Sequence, residues 1–207
     1  MNCIILGDKY QNGMKSRGCS ALLRISSKTT NIDHQCSILS SIFDNPNVLY
    51  VYGFDNKKFI EFVNKSTLNI NIIYNEYYNN YNEAFSLSLV KDNLKNDATL
   101  IIDGYQKINK TILKKIKLDR EYSYVFVDKN TKHDPESVGC IINKNNCIES
   151  LSLDLDNAIQ NIYYLNENCS KTLSEILENK RNYNNFIFEL LNKLIDHGHK
   201  IKPIQIN

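Results

Sequence analysis

Thr99-Leu100-Ile101-Ile102-Asp103-Gly104 and Cys3-Ile4-Ile5-Leu6-Gly7 decide the fold of this 207-residue chain. Each is a short, unbroken apolar run closed by glycine, the pattern of a strand buried on both faces. The second run feeds a polar loop, Gly7 to Gly18, that contains three glycines; the first carries an acid at its carboxyl end. Between and beyond them, strand and helix signals alternate. Asn31 or Asp33 is placed to cap a helix carrying Ile32, Cys36, Ile38, Leu39 and Ile42. Val48 to Tyr52 reads as a strand, and Asp55 as the cap of a helix through Phe59 and Val63. Asn69 to Tyr74 reads as a strand and Ala84 to Leu94 as a helix. Thr111 to Ile116 follows as a short helix, then Tyr122 to Val127 as a strand.

Val138 to Ile142 and Cys147 to Leu153 suit a hairpin around Lys144-Asn145-Asn146. Ile159 to Leu165 is apolar and tyrosine-rich. Ser170 or Thr172 can cap a helix to Glu178, and Tyr183 to His197 has the best amphipathic spacing, with Phe186, Ile187, Leu190, Leu191, Leu194 and Ile195 on its apolar face. Gly198 stands where a helix terminator belongs, and the tail from His199 can add a last strand. Alternating strands and helices imply an α/β three-layer sandwich with a mostly parallel mixed sheet, in one domain over residues 1–207. In such sheets ligands sit at the carboxyl ends of strands near the switch in strand order. The loop after Leu6, the end of the strand at Tyr74, and Asp103 therefore define the zone for a site.

Composition narrows the function. Hydrophobic residues make up 42% and charged residues 23%, which excludes a mainly disordered chain, and a net charge of +2 argues against nucleic acid as a partner. No apolar stretch approaches the roughly 20 residues that span a bilayer. The N-terminus lacks a signal-peptide pattern, pointing to the cytoplasm or a particle assembled there. The six cysteines contain no C-x-x-C pair and read as buried small hydrophobes or idle thiols. His197-Gly198-His199 reads as a helix end rather than a metal site. The phosphate-binding P-loop and the dinucleotide fingerprint are both missing.

Several segments resemble nucleotidyltransferases that act on sugar phosphates or choline phosphate. Ile4-Ile5-Leu6-Gly7, the polar loop, Met14-Lys15-Ser16 and Ala21-Leu22-Leu23 are similar to the family's opening strand, glycine-rich loop and leucine pair. Tyr50-Val51-Tyr52-Gly53-Phe54 resembles its strand ending in Gly-Tyr. Ile73-Tyr74-Asn75, Asn82 and Ser86 look like a segment of the cholinephosphate cytidylyltransferase branch. Leu100 to Gly104 resembles the strand leading to a metal-binding Gly-Asp. The resemblance implies a nucleotide-diphospho-sugar transferase-like fold, and transfer of a nucleotide from a nucleoside triphosphate to a small phosphorylated alcohol with Mg²⁺. It places Leu6, Gly7, Asp8, Gly13, Asn75, Asn82 and Ser86 at the nucleotide or acceptor; beside them Lys9, on the nucleotide, and Lys15 and Arg17, as catalytic phosphate-side charge, are the cations available to replace the family's own, and Asp103, displaced by two positions, is the candidate metal ligand.

The chain also departs from the family pattern. The family's glycines fall at Lys9 and Gln11, its arginine at Gly13, its Pro-Lys pair at Cys19-Ser20, and its first metal aspartate at Tyr105. Its second metal aspartate belongs to a later segment than the one ending at Ile204-Gln205-Ile206. A diverged transferase and a non-catalytic protein retaining the fold, for example a component of a virus particle, are both compatible with these departures. Tyr74, Tyr77, Tyr78 and Tyr81, interleaved with asparagines, suit a stacked base, a choline-like head group, or contact with a protein partner or second copy. The basic stretch Lys107 to Arg120 reads as a solvated face.

Overall fold

The computed structural model describes residues 1–10, 15–116, 118, 121–128 and 134–206, with Lys15 described by its backbone. Nine strands are described: β1 (Asn2–Leu6), β2 (Asn47–Tyr52), β3 (Asn71–Tyr74), β4 (Thr99–Asp103), β5 (Ser123–Asp128), β6 (Val138–Ile142), β7 (Ile148–Leu153), β8 (Ala158–Leu165) and β9 (Ile201–Gln205). The α-helices are α1 (Asn31–Ile42), α2 (Asn56–Lys65), α3 (Glu83–Ser88), α4 (Lys91–Leu94), α5 (Lys110–Leu113), α6 (Glu167–Glu178) and α7 (Ile187–Asp196). Seven strands form one sheet in the order β3-β2-β1-β4-β8-β5-β9, with β8 antiparallel to both its neighbours and the other pairings parallel. This is the mostly parallel α/β architecture expected from the sequence.

Alternation along the strands divides the core in two. Cys3, Ile5, Tyr50, Leu100 and Ile102 pack against α1, α2 and α5 through Ile32, Leu39, Phe59 and Leu113. Ile4, Leu6, Val51, Ile101 and Tyr163 face the other way, against α3, α4, α6, α7 and the β6–β7 hairpin. The hairpin lies outside the main sheet and is tied to α7 by Asn192, whose Oδ1 accepts from Leu151 N at 2.9 Å and whose Nδ2 donates to Leu151 O at 2.8 Å.

Local side-chain chemistry moves several element boundaries. Thr30, not Asn31 or Asp33, caps α1: Asp33 N donates to its hydroxyl, and Thr30 N donates to Asp33 Oδ2 at 3.0 Å, closing a capping box. Asn166, rather than Ser170 or Thr172, caps α6 by accepting from Cys169 N at 2.9 Å. The helix expected over 84–94 is two short helices separated at Leu89-Val90. The one expected from Tyr183 begins at Ile187, because the asparagine-rich 180–184 segment turns in a 3-10 helix first. Its Phe186 is 45% exposed instead of core-facing. Gly198 terminates α7 at φ 85°, His197 Nδ1 bonds Lys193 O in its last turn, and His199 Nε2 bonds Thr172 Oγ1 of α6. Five cysteines are buried and Cys147 is half-buried, and burial pushes the Cys3, Cys36 and Cys169 thiols up to about 12. Lys110, Lys114 and Lys115 are exposed, whereas Lys117 and Arg120 lie outside the described residues.

The sheet closes most tightly where β1 and β4 end. Leu6 pairs with Asp103, and Gly104 N donates to Leu6 O at 2.7 Å. A Cβ on Gly104 would lie 2.6 Å from Gly7 Cα and 2.8 Å from Leu6 O; one on Gly7 would lie 1.9 Å from Tyr50 Oη. Gly104 is therefore demanded by close backbone approach, and Gly7 by the buried Tyr50 ring. Gly104→Ala, which meets backbone, is expected to cost about 1–3 kcal/mol. Urea unfolding would show this as a lowered midpoint at unchanged slope. Gly198→Ala, with φ 85° but open space around it, should cost less, about 1 kcal/mol.

Candidate active site

Strand order reverses between β1 and β4: β2 and β3 extend from one side of β1, and β4 lies on the other. The crevice outside their carboxyl ends is where open α/β sheets take ligands. A cleft of about 350 Å³ opens there, on the α7 side of the sheet. Leu6 and Asp103 form its floor. Glu83, the first residue of α3, and Glu136 add two more carboxylates, while Asn161 and Tyr163 of β8 and the rings of Phe186 and Phe188 form its walls. The two phenyl rings stack with centroids 6.0 Å apart and planes 12° apart. None of the described lining residues is Lys, Arg or His.

Concentrating acids in a partly desolvated cleft shifts their protonation. Burial pushes the Asp103 carboxyl from 3.8 up to about 6, and the charge of Asp8 adds to the rise. Hydrogen bonds from the backbone N–H groups of Tyr105, at 2.7 Å to Oδ1, and Gln106 oppose it. Burial likewise raises Glu83, with Lys9 opposing and Asp103 and Asp8 reinforcing. Tyr163 is raised by burial and by the same two acids, Glu83 and Asp103. Glu83 Oε2 is buried without a hydrogen-bond donor. Carboxylates in this condition gain from any cation that joins them.

Among the described residues, no group of three or more His, Cys, Asp or Glu side chains is arranged to hold a metal by itself. A Mg²⁺ ion bound together with nucleotide phosphates needs less. One or two carboxylates, water and phosphate oxygens complete its octahedron. Asp103 and Glu83, whose Oε2 has no donor, fit that donor set.

The structure distributes the residues singled out in the sequence among several places. Leu6 lies in the cleft and Gly7 immediately beyond it. Asp8, Asn75 and Ser86 are joined to one another: Asp8 Oδ2 accepts from Asn75 Nδ2 at 2.7 Å and from Ser86 Oγ at 2.7 Å, and Asn75 Nδ2 also reaches Ser86 Oγ at 3.3 Å. All three are buried, and burial raises the Asp8 carboxyl against those two bonds. The network fixes the loop after β1 to the end of β3 and to α3. Lys9 and Asn82 border a shallower depression of about 240 Å³ with Tyr10, Tyr78 and Tyr81. Lys9 Nζ donates to Tyr81 O at 2.5 Å, and Asn82 Nδ2 donates to Asn184 O at 2.7 Å.

Arg17 stands apart from this cleft, on the α1 side of the sheet. Gly13 and the Lys15 side chain lie outside the described residues. Ser20, at the position of the family lysine, is buried with its hydroxyl 3.1 Å from Tyr50 Oη.

The tyrosine-rich segment is partly consumed internally. Tyr81 stacks on Phe85 at 4.7 Å, and Tyr77 and Tyr183 meet Phe85 edge-on at 5.8 and 5.1 Å. Tyr74 and Tyr77 are each 47% exposed. Glu83, Glu136, Tyr163 and Phe188 were not singled out in the sequence, whereas the sequence places Phe186 on a core-facing stripe. Glu83 follows Asn82 directly and could have been found as an acid at a helix start; the others come from distant segments with no local signal.

No protein-family profile matches the chain, and no curated protein matches it in sequence. Solved structures do match. A CTP:phosphocholine cytidylyltransferase from Streptococcus pneumoniae superposes with a TM-score of 0.76 at 14% identity, covering 100% of this chain and 90% of that one. An inositol-1-phosphate CTP transferase from T. maritima gives 0.72 at 15% identity, over 99% and 84%. A nucleoside-diphosphate-sugar pyrophosphorylase from Vibrio cholerae gives 0.67 at 12% identity, over 100% and 92%. No helix among the described residues is long and apolar enough to cross a membrane.

The raised carboxyl at Asp103 has a pH consequence. Between about 4 and about 6 the folded protein binds a proton there that the unfolded chain has released. That residue's contribution to stability therefore falls as pH rises through this window. Asp103→Asn is expected to gain on the wild type as pH rises from 4 to 7 in urea unfolding, and an unchanged difference would contradict the raised carboxyl. Ser86→Ala, which removes one donor from buried Asp8, is expected to destabilise by about 1–3 kcal/mol in the same assay. On the structural evidence, the protein has the α/β fold of nucleotide-diphospho-sugar transferases.

Proposed function

We propose that this protein transfers a nucleotide from a nucleoside triphosphate to a small phosphorylated alcohol, with Mg²⁺ as cofactor. The observation that carries this reading is the cleft at the β1–β4 switch, where Asp103 and Glu83, with its donor-free Oε2, face a space large enough for a small acceptor. A phosphate oxygen of the acceptor attacks the α-phosphorus, that P–O bond forms, and the bond to the β-phosphate oxygen breaks, releasing pyrophosphate. Bound Mg²⁺ supplies neutralisation of the phosphate charge. Asp103 and Glu83 hold the ion, Leu6 and Gly7 set the backbone against the nucleotide, and Lys9 supplies positive charge from the loop. Asp8, Asn75 and Ser86 position that loop, and Asn82 sets the wall beside it.

The same cleft favours one class of acceptor. With Asp103 and Glu83 on the ion, Glu136 and the aromatic walls remain to attract a cationic head group. A phosphorylated amino alcohol or its quaternary form suits this lining better than the phosphate of an uncharged sugar. A second reading, nucleotide binding without turnover, is favoured by one observation: Ser20 occupies the family lysine's position as a buried hydroxyl. Protein contact through exposed Tyr74 and Tyr77 is compatible with either.

Calorimetric titration of CTP, UTP, ATP and GTP, with and without Mg²⁺, tests the site. Micromolar, Mg²⁺-dependent binding to one of the four is expected, weakened at least about tenfold in Asp103→Asn, the loss of roughly one charge-assisted contact. Pyrophosphate release should then be faster with phosphocholine than with glucose 1-phosphate. Binding without release would favour the non-catalytic reading, and no binding to any of the four would overturn both.

A further inference from the structure

A second concavity lies on the opposite face of the sheet and has the opposite chemistry. It is a groove of about 580 Å³ between the segment after the 3-10 turn (Ser20–Leu22) and the loop after β4. Arg17, Arg24 and Lys107 line it, together with Leu22, Leu23, Ile25, Asn31 and Tyr105; no carboxylate is among the described lining residues. None of the ion pairs among the described residues involves Arg17, Arg24 or Lys107. Arg24 is held by its Nη1 donating to Ser27 O at 2.7 Å. Three cations facing one groove without an anion repel each other, and a bound anion relieves that repulsion.

A second observation points to a ligand independently of charge. Asn31 is 3% exposed, and its Oδ1 is buried with no hydrogen-bond donor. Its Nδ2 donates to Gly104 O at 2.6 Å, which fixes the orientation of the amide, and Asn31 is itself a lining residue of the groove. A buried acceptor without a donor costs about 1–3 kcal/mol, which a ligand hydroxyl or amine can recover.

We propose that this groove is a separate binding site for a phosphorylated compound carrying a hydrogen-bond donor. Arg17, Arg24 and Lys107 hold the phosphate, and Asn31 Oδ1 accepts from the donor. The groove shares no lining residue with the acidic cleft, and the site stands whether or not the cleft catalyses transfer.

Ribose 5-phosphate and inorganic phosphate are suitable probes, followed by calorimetry and by backbone amide shifts in heteronuclear NMR spectra. Ribose 5-phosphate is expected to bind more tightly than phosphate, which offers Asn31 less, and to shift amides of residues 22–25 and 105–107. The double variant Arg24→Ala/Lys107→Ala, altered at two exposed positions, should weaken it about tenfold or more. Asp103→Asn should leave the affinity for this probe unchanged. Undiminished binding in the double variant, shifts centred on Glu83 and Asn161, or no binding at millimolar probe would each overturn the proposal.

Discussion

The close approach of Gly7 and Gly104 is the constraint on which the site depends. One hydrogen bond, Gly104 N to Leu6 O, draws the two strand ends together, and the ring of Tyr50 fills the space that a side chain on Gly7 would need. With the backbones this near, Leu6 and Asp103 become neighbours across the sheet. The chains then diverge: the first loop leaves toward the Asp8 network, and the second toward α1. Three side chains of α1 receive that second loop. Asn31, His34 and Gln35, at helical spacing on one face, bond the backbone oxygens of Gly104, Ile108 and Gln106. Because Ile108 O can only accept, His34 Nε2 must carry a hydrogen.

Charge is partitioned by the sheet itself. A net charge of +2 hides an acidic concavity on the α7 side and a basic one on the α1 side, and the apolar strands between them exclude the water that would screen their fields. Asp8, though acidic, belongs to neither surface. Two hydroxyl and amide donors hold it inside, where it acts on Asp103 and Glu83 through its charge.

The architecture was readable because its strands are apolar on both faces and its glycines mark their ends. Asp103 was readable because an acid closing such a strand has few structural uses. Other features needed coordinates. Asp8, Asn75 and Ser86 lie up to 78 positions apart, and no spacing shows that they satisfy one another rather than face outward. The walls of the cleft come from the β6–β7 hairpin, β8 and the start of α7, segments that meet through tertiary packing. Phe186 looked like part of an apolar stripe because helix periodicity extends past the point where asparagine-rich sequence prefers a tight turn.

The position of β8 carries a consequence for biosynthesis. The four strands β3-β2-β1-β4 are complete, with their crossover helices, once residue 103 has been made. The other half is built in a different order. β5 pairs with β8 and β9, both synthesised later, so it must wait roughly 30 residues for its first neighbour and for the last strand to gain its second. Until β8 arrives, the growing chain presents an unpaired hydrophobic edge at β4, the kind of edge that invites pairing with another chain. The antiparallel strand is thus the seal of the sheet, covering the free edge of β4 and a free edge of β5 in one step.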